Sequence, residues 1–150
     1  MIQRIQSIYL LLAAILVTVA LCLPVGHFMS ADGSVTYPLV PLGIKTSDGF
    51  LSTWGLFGIL LLASVIALCA IFLFRNRILQ MRVAVFSSVL LGGYYVAIFF
   101  FVRVLEEKLD MDFQTAWALF LPVAGILFEL LACRGILHDE KMVKAADRLR

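Results

Sequence analysis

The 150-residue sequence is poor in charge: 15% of its residues are Asp, Glu, Lys or Arg, and the net charge is +2. Soluble domains carry about 25% charged and about 45–50% apolar residues, whereas 63% of this chain is hydrophobic. So small a net charge argues against a nucleic-acid-binding protein. The chain has too little polar surface to cover itself in water, and we expect the lipid bilayer to cover its outside.

Cysteine is also scarce, and its spacing carries no recognisable chemistry. The three cysteines, Cys22, Cys69 and Cys133, are odd in number, far apart and each embedded in an apolar run. The sequence has no CxxC motif and no Cys/His spacing typical of zinc, which argues against a disulfide framework, a zinc site and a thiol oxidase with paired redox cysteines. We therefore predict no enzymatic activity, with no catalytic residues, no metal ligands and no cofactor.

What the sequence has instead is four long apolar segments. Crossing about 30 Å of hydrocarbon takes about 20 helical residues, and the segments 5–23, 54–74, 83–102 and 115–133 meet that length. The first segment resembles a signal peptide, but it is longer than the usual core of about 7–15 apolar residues, so we interpret it as a retained span. The fold class predicted is an all-α membrane protein, an antiparallel bundle of four transmembrane helices.

Basic residues are distributed unevenly among the flanks of these segments. Nine of the 12 Lys and Arg residues precede the first segment, join the second to the third, or follow the fourth; the remaining three are Lys45, Arg103 and Lys108. Because cytoplasmic loops retain positive charge during insertion, we predict a multi-pass protein with both termini in the cytoplasm. Acidic residues at 106, 107, 110 and 112 reinforce this orientation.

The connection 24–50 is long and, in this orientation, external. It contains an Asp32-Gly33 pair between short runs of strand-forming residues. Because an Asp-Gly pair suits a type I′ turn, we predict a small hairpin over roughly 28–37. Pro38 and Pro41 are expected to stop its second strand from extending.

Small residues recur at helical spacing in the third and fourth segments, and we expect these two stripes to form the interior seam of the bundle. Pro122 is expected to bend the fourth segment, because proline removes a backbone donor. The stripes are Ala84, Ser88 and Gly92 in the third segment, and Ala118, Pro122, Gly125, Glu129 and Ala132 in the fourth.

Glu129 is the candidate intramembrane polar site, predicted about 7 Å inside the cytoplasmic boundary at Arg134. An ionised group facing lipid at that depth costs a few kcal/mol, so Glu129 should face inward, be protonated or meet a cation. Tyr9, and Ser87 or Ser88, are predicted at the same depth. We favour a structural hydrogen bond to Ser88 or Tyr9, or an ion pair with an arginine of the 75–82 connection; the alternative is a proton or ion relay.

The segment 134–150 is predicted to be a cytoplasmic tail. Gly135 is expected to end or loosen the membrane helix, and Asp139 to cap a second, short helix through Leu149. An apolar face of Met142, Val143, Ala146 and Leu149 could dock on the bundle, lie on the inner leaflet or meet a partner. The candidate partner-binding residues are Lys141, Lys144, Arg148 and Arg150.

The two ends of the chain resemble a known family. The opening MIQRIQSIYLLLAAIL and the closing RGILHDEKMVKAADRLR are similar to the ends of domain-of-unknown-function family 4293. The resemblance implies a small four-span inner-membrane protein typical of Bacteroidota, and it transfers no site residues. We predict a non-enzymatic accessory or scaffold subunit that binds a protein partner through its tail. The alternative is a small ion- or proton-coupled transporter that uses Glu129 and functions as a homo-oligomer.

Overall fold

A computed structural model of the chain describes residues 2–149, with side chains described from residue 5 onward. Its helices are α1 (Ile2–Cys22), α2 (Trp54–Phe72), α3 (Arg77–Leu109) and α4 (Leu121–Arg148), and a short 3-10 helix, Trp117–Phe120, leads into α4. Each of the four predicted apolar segments falls on one of them. All four helices are long and apolar enough to cross a membrane.

The helices form an antiparallel four-helix bundle. α1 packs on α2, α2 on α3, α3 on α4, and α4 returns to pack on α1. Gly125 of α4 sets the close approach to α1, because a Cβ at that position would lie 3.0 Å from Cγ2 of Val17. Antiparallel packing brings both described ends of the chain and the α2–α3 connection to one end of the bundle.

The all-α prediction is wrong, because the other end of the bundle carries a five-stranded antiparallel sheet. Its strands are β1 (Gly26–Met29), β2 (Thr36–Val40), β3 (Gly43–Thr46), β4 (Gly49–Ser52) and β5 (Asp112–Thr115), in the order β4-β3-β2-β1-β5. The first four strands come from the α1–α2 connection and β5 from the α3–α4 connection. The sheet therefore ties together the two connections at this end.

Alternating apolar side chains attach the sheet to α3. Phe28, Leu39 and Ile44 are fully buried and pack with Leu105 of α3. This contact explains why α3 has 33 residues, about 50 Å of helix, when about 20 would cross a bilayer. The last turns of α3 support the sheet, and α3 ends where Asp110 adopts a left-handed conformation, φ 52°.

The predicted hairpin is present, with a different turn. β1 and β2 pair so that Phe28 lies opposite Tyr37. Gly33 has φ +65° and its N–H donates to the Ser30 carbonyl, but Asp32 is not left-handed, so the turn is not type I′. Pro38 lies inside β2, which ends just before Pro41.

The predicted break at Gly135 is also wrong, because α4 continues through it to Arg148. A Cβ at Gly135 would lie 3.1 Å from Cγ of Gln6, so this glycine admits a side chain of α1 instead of ending the helix. Asp139 is a mid-helix residue that accepts a hydrogen bond from Gln6, and it caps nothing. Pro122 lies in the first turn of α4, where a missing N–H removes no helical hydrogen bond, so the reason for expecting a bend does not apply there.

The two stripes of small residues differ in their burial. The α4 stripe is buried along its whole length. In α3, Ala84 and Ser88 are buried, but Gly92 is exposed on the outer surface with open space around it. Larger side chains, among them Leu91 and Tyr94, fill the α3 side of the seam instead.

Candidate functional site

Glu129 lies on the α4 face that meets α3, and its side chain is fully buried. The Ser87 hydroxyl donates to Oε1 at 2.6 Å and the Ser88 hydroxyl to Oε2 at 2.7 Å. The same two hydroxyls also lie 3.4 Å from the Ala63 carbonyl of α2 and 3.1 Å from the Ala84 carbonyl of α3. The two consecutive serines can both donate to this carboxyl because each hydroxyl meets a different one of its two oxygens.

The other partners considered for Glu129 lie elsewhere. The Tyr9 ring stacks on Phe128 with centroids 6.1 Å apart, and no hydrogen bond joins its hydroxyl to Glu129. Arg75 and Arg82 are exposed, and within residues 5–149 no Lys or Arg lies within ion-pair distance of the Glu129 carboxyl. Of the partners predicted for Glu129, the serines of α3 are thus the ones that form hydrogen bonds with it.

Glu129 lies within a stretch of exposed apolar side chains that also includes Arg134. Exposed apolar side chains occur on both sides of Glu129, from Phe120 of the 3-10 helix to Leu137 of α4. Arg134 is exposed within that stretch, and a long basic side chain can extend from an apolar region to polar surroundings.

Each interface between neighbouring helices contains at least one hydrogen bond. Thr18 of α1 and Ser64 of α2 lie 2.6 Å apart at their hydroxyl oxygens. Gln80 of α3 donates to the Ala70 carbonyl of α2 at 3.0 Å. The Gln6 amide of α1 donates to the carboxyl of Asp139 on α4. Together with Glu129 and its serines, these contacts fix all four interfaces of the bundle.

The sequence interpretation missed the pairing of Gln6 with Asp139. Asp139 is 9% exposed and Gln6 is 5% exposed, so both are buried polar groups on facing helices. A helical repeat that includes Glu129, Ala132, Ile136 and Asp139 was the available signal, but the assumed break at Gly135 concealed it. The same assumption separated the tail from the membrane helix.

The candidate partner-binding residues lie on the exposed end of α4. Every residue from 141 to 149 is exposed, including Met142, Val143 and Leu149. Lys144 forms an ion pair with Glu140 at 2.9 Å on the helix surface, whereas Arg150 lies outside the described residues. Because Gln6 is level with Asp139 and α1 begins four residues before Gln6, at Ile2, α4 extends past the described start of α1 from about residue 143 onward.

Within residues 2–149, no group of three or more His, Cys, Asp and Glu side chains is arranged to hold a metal ion. The Glu129 cluster comprises one acid, two hydroxyls and backbone carbonyls. Its contacts join α3 to α4 and leave no exposed carboxyl surface in this conformation.

Residues 2–149 match the model of the family described as a domain of unknown function, DUF4293. The chain belongs to this family. The resemblance of its two ends to DUF4293 is thereby confirmed, and the match covers the helices and the sheet of this DUF4293 domain alike. No curated protein matches the chain.

Proposed function

We propose that the chain is a non-enzymatic scaffold of the bacterial inner membrane that presents the exposed end of α4 to a protein partner in the cytoplasm. The observation that carries this proposal is the unbroken extension of α4, where residues 141–149 are all exposed. A helix this exposed gains little from its own bundle, and contact with another surface would bury its apolar residues.

The distribution of basic residues supports a cytoplasmic position for this helix. Arg75, Arg77 and the basic residues of α4 after Arg134 lie at the end of the bundle opposite the sheet. Of the ten Lys and Arg residues between positions 5 and 149, three lie at the sheet end, together with four acids between 106 and 112. Positive charge of this distribution favours retention on the cytoplasmic side.

The hydrogen bonds at the four interfaces support a structural role for the buried polar groups. In a membrane, helices associate through close packing and occasional polar contacts, because lipid removes most of the hydrophobic driving force. A bundle fixed in this way would hold the α4 extension at a defined height and direction. A rigid presentation lowers the entropy lost when a partner binds.

The test is photo-crosslinking from the extension in native membranes. A photoreactive residue at Ala146 should give a discrete adduct, and changing Lys144, Arg148 and Arg150 to Ala should reduce that adduct severalfold. The matched control changes Lys45 and Lys108 to Ala at the sheet end and should leave the adduct intact. Adducts that are the same in both sets of variants would rule out recognition through the basic tail.

A second candidate function is supported by the burial of Glu129 in a long apolar helix. An acid near the middle of an apolar helix is a common feature of proton and ion pathways, and an oligomer of this chain could line such a pathway. Proton-coupled flux should then appear in liposomes and vanish in Glu129→Gln. A monodisperse monomer without flux would exclude the transporter.

A further inference from the structure

An open groove runs along α3 at the end of the bundle that carries the sheet. Its volume of about 360 Å³ falls within the range of ligand-sized sites, about 300–1,000 Å³. Spacings of three and four residues place its lining on one stripe of the helix. The lining residues are Tyr95, Ile98, Phe99, Val102, Arg103 and Glu106.

The groove extends past the region where α4 accompanies α3. At its inner end the Tyr95 hydroxyl donates to the Leu119 carbonyl, just before α4 begins at Leu121. Toward the sheet, the chain that enters α4 is the short strand β5 followed by the 3-10 helix Trp117–Phe120. From Tyr95 to Glu106, about 16 Å of helix, this stripe of α3 therefore lies beyond the start of α4.

The groove crosses from apolar to polar surroundings. Its inner part is lined by Ile98, Phe99 and Val102, and Phe99 is 57% exposed. The exposed apolar residues of α3 end at Val104, next to the two charged residues at the outer end of the groove. In a bilayer this places the inner part beside acyl chains and the outer part among headgroups.

Arg103 and Glu106 lie near each other without forming a close ion pair, and the Arg103 side chain is 67% exposed. Nη1 of Arg103 lies 3.9 Å from Oε2 of Glu106, longer than the 2.7–2.9 Å of a charge-assisted hydrogen bond. The guanidinium carbon lies 5.3 Å from the centre of the Phe99 ring. Oε1 of Glu106 accepts the Phe113 N–H at 3.3 Å. The guanidinium of Arg103 and the carboxylate of Glu106 therefore both retain hydrogen-bonding capacity for a ligand.

We propose that this groove binds a phospholipid with a phosphoethanolamine headgroup, its phosphate on Arg103 and its ammonium on Glu106. A guanidinium matches phosphate oxygens, and an ammonium supplies three donors to a carboxylate. One acyl chain would follow the inner part of the groove toward Tyr95. A glycerol headgroup offers Glu106 no cation, and a trimethylammonium group offers it no N–H donor. The site does not depend on the proposed role of the α4 extension.

The test is native mass spectrometry of the full chain with equimolar phosphatidylethanolamine, phosphatidylglycerol and phosphatidylcholine. Phosphatidylethanolamine should be retained about tenfold over either competitor, which corresponds to about 1.4 kcal/mol. Arg103→Gln and Glu106→Gln should each lower that retention about tenfold. Gln at position 106 keeps an oxygen for the Phe113 N–H. Lys108→Gln, an exposed basic residue at the same end but outside the groove, should change nothing.

Equal retention of the three lipids, a preference for phosphatidylglycerol, or full retention in both Gln variants would overturn the proposal. Circular dichroism and size-exclusion chromatography establish whether each variant is folded. Should a Gln variant fail to fold, the wild-type preference over phosphatidylcholine decides alone, and its absence overturns the proposal.

Discussion

Replacing Glu129 by leucine isolates what its two hydrogen bonds contribute to the bundle. Leucine has a similar size but accepts no hydrogen bond, so Ser87 and Ser88 lose partners at 2.6 and 2.7 Å. Each serine keeps a backbone carbonyl nearby, at 3.4 Å for Ser87 and 3.1 Å for Ser88, which limits the loss.

The expected cost follows from hydrogen bonds measured between membrane helices. Such bonds contribute about 0.6 kcal/mol on average and at most about 1.7 kcal/mol. Two bonds lost together should therefore lower the free energy of unfolding by about 1–3 kcal/mol. Glu129→Gln should cost less, because glutamine keeps one acceptor oxygen in place and nearly the same volume.

The assay is reversible unfolding in mixed micelles, followed by circular dichroism. Double-mutant cycles between Glu129→Leu and Ser87→Ala or Ser88→Ala should each give a coupling energy of about 0.6–1.7 kcal/mol. Thr18→Val, at the α1–α2 interface, should show no coupling beyond about 0.5 kcal/mol. Glu107→Leu removes an exposed acid and should be neutral within about 0.5 kcal/mol. Wild-type stability of Glu129→Leu, or zero coupling with both serines, would refute the assigned role.

Two further predictions concern glycines. Gly125→Leu should destabilise the bundle by about 1–3 kcal/mol in the same assay, because Val17 leaves no room for a side chain. The control is Gly92→Leu, because nothing lies within 4 Å of a Cβ at that position. An equal loss of stability in the two variants would contradict the packing. Gly26→Ala should speed amide hydrogen exchange in β1 and β5, because its Cβ would overlap the Phe113 ring and the Gln114 carbonyl; unchanged exchange would show that this close approach is not required.

Length and apolarity were sufficient to locate the four helices. A run of about 20 apolar residues matches the length of a helix that crosses a bilayer, and few other structures need such a run. The Asp32-Gly33 hairpin could be located as well, since its signal is local. β3, β4 and β5 have four residues each, too few for alternation to stand out. β5 also depends on pairing with β1 across more than 80 residues of sequence, which a local pattern does not reveal.

Gly135 and Pro122 of α4 were interpreted in the same way. Each was interpreted from what it does to an isolated helix, whereas position and neighbours decided its effect. Pro122 lies in the first turn, where its missing donor costs nothing. Gly135 lies beside Gln6, where its missing side chain allows the two helices to approach. The burial of Glu129 could be anticipated from the cost of exposing an acid to lipid, but the choice of serine partners required the helix register.

Thiol labelling in intact spheroplasts tests the central claim most directly, namely that the sheet lies outside and the α4 extension lies in the cytoplasm. The three native cysteines, Cys22, Cys69 and Cys133, are first removed. One variant then carries a single cysteine in place of Ser47, between β3 and β4, and a second variant carries one in place of Ala145 on the α4 extension. Both positions are exposed. A membrane-impermeant maleimide should label position 47 at once and position 145 only after the membrane is opened. Labelling of position 145 in sealed spheroplasts would contradict the orientation and the partner site built on it.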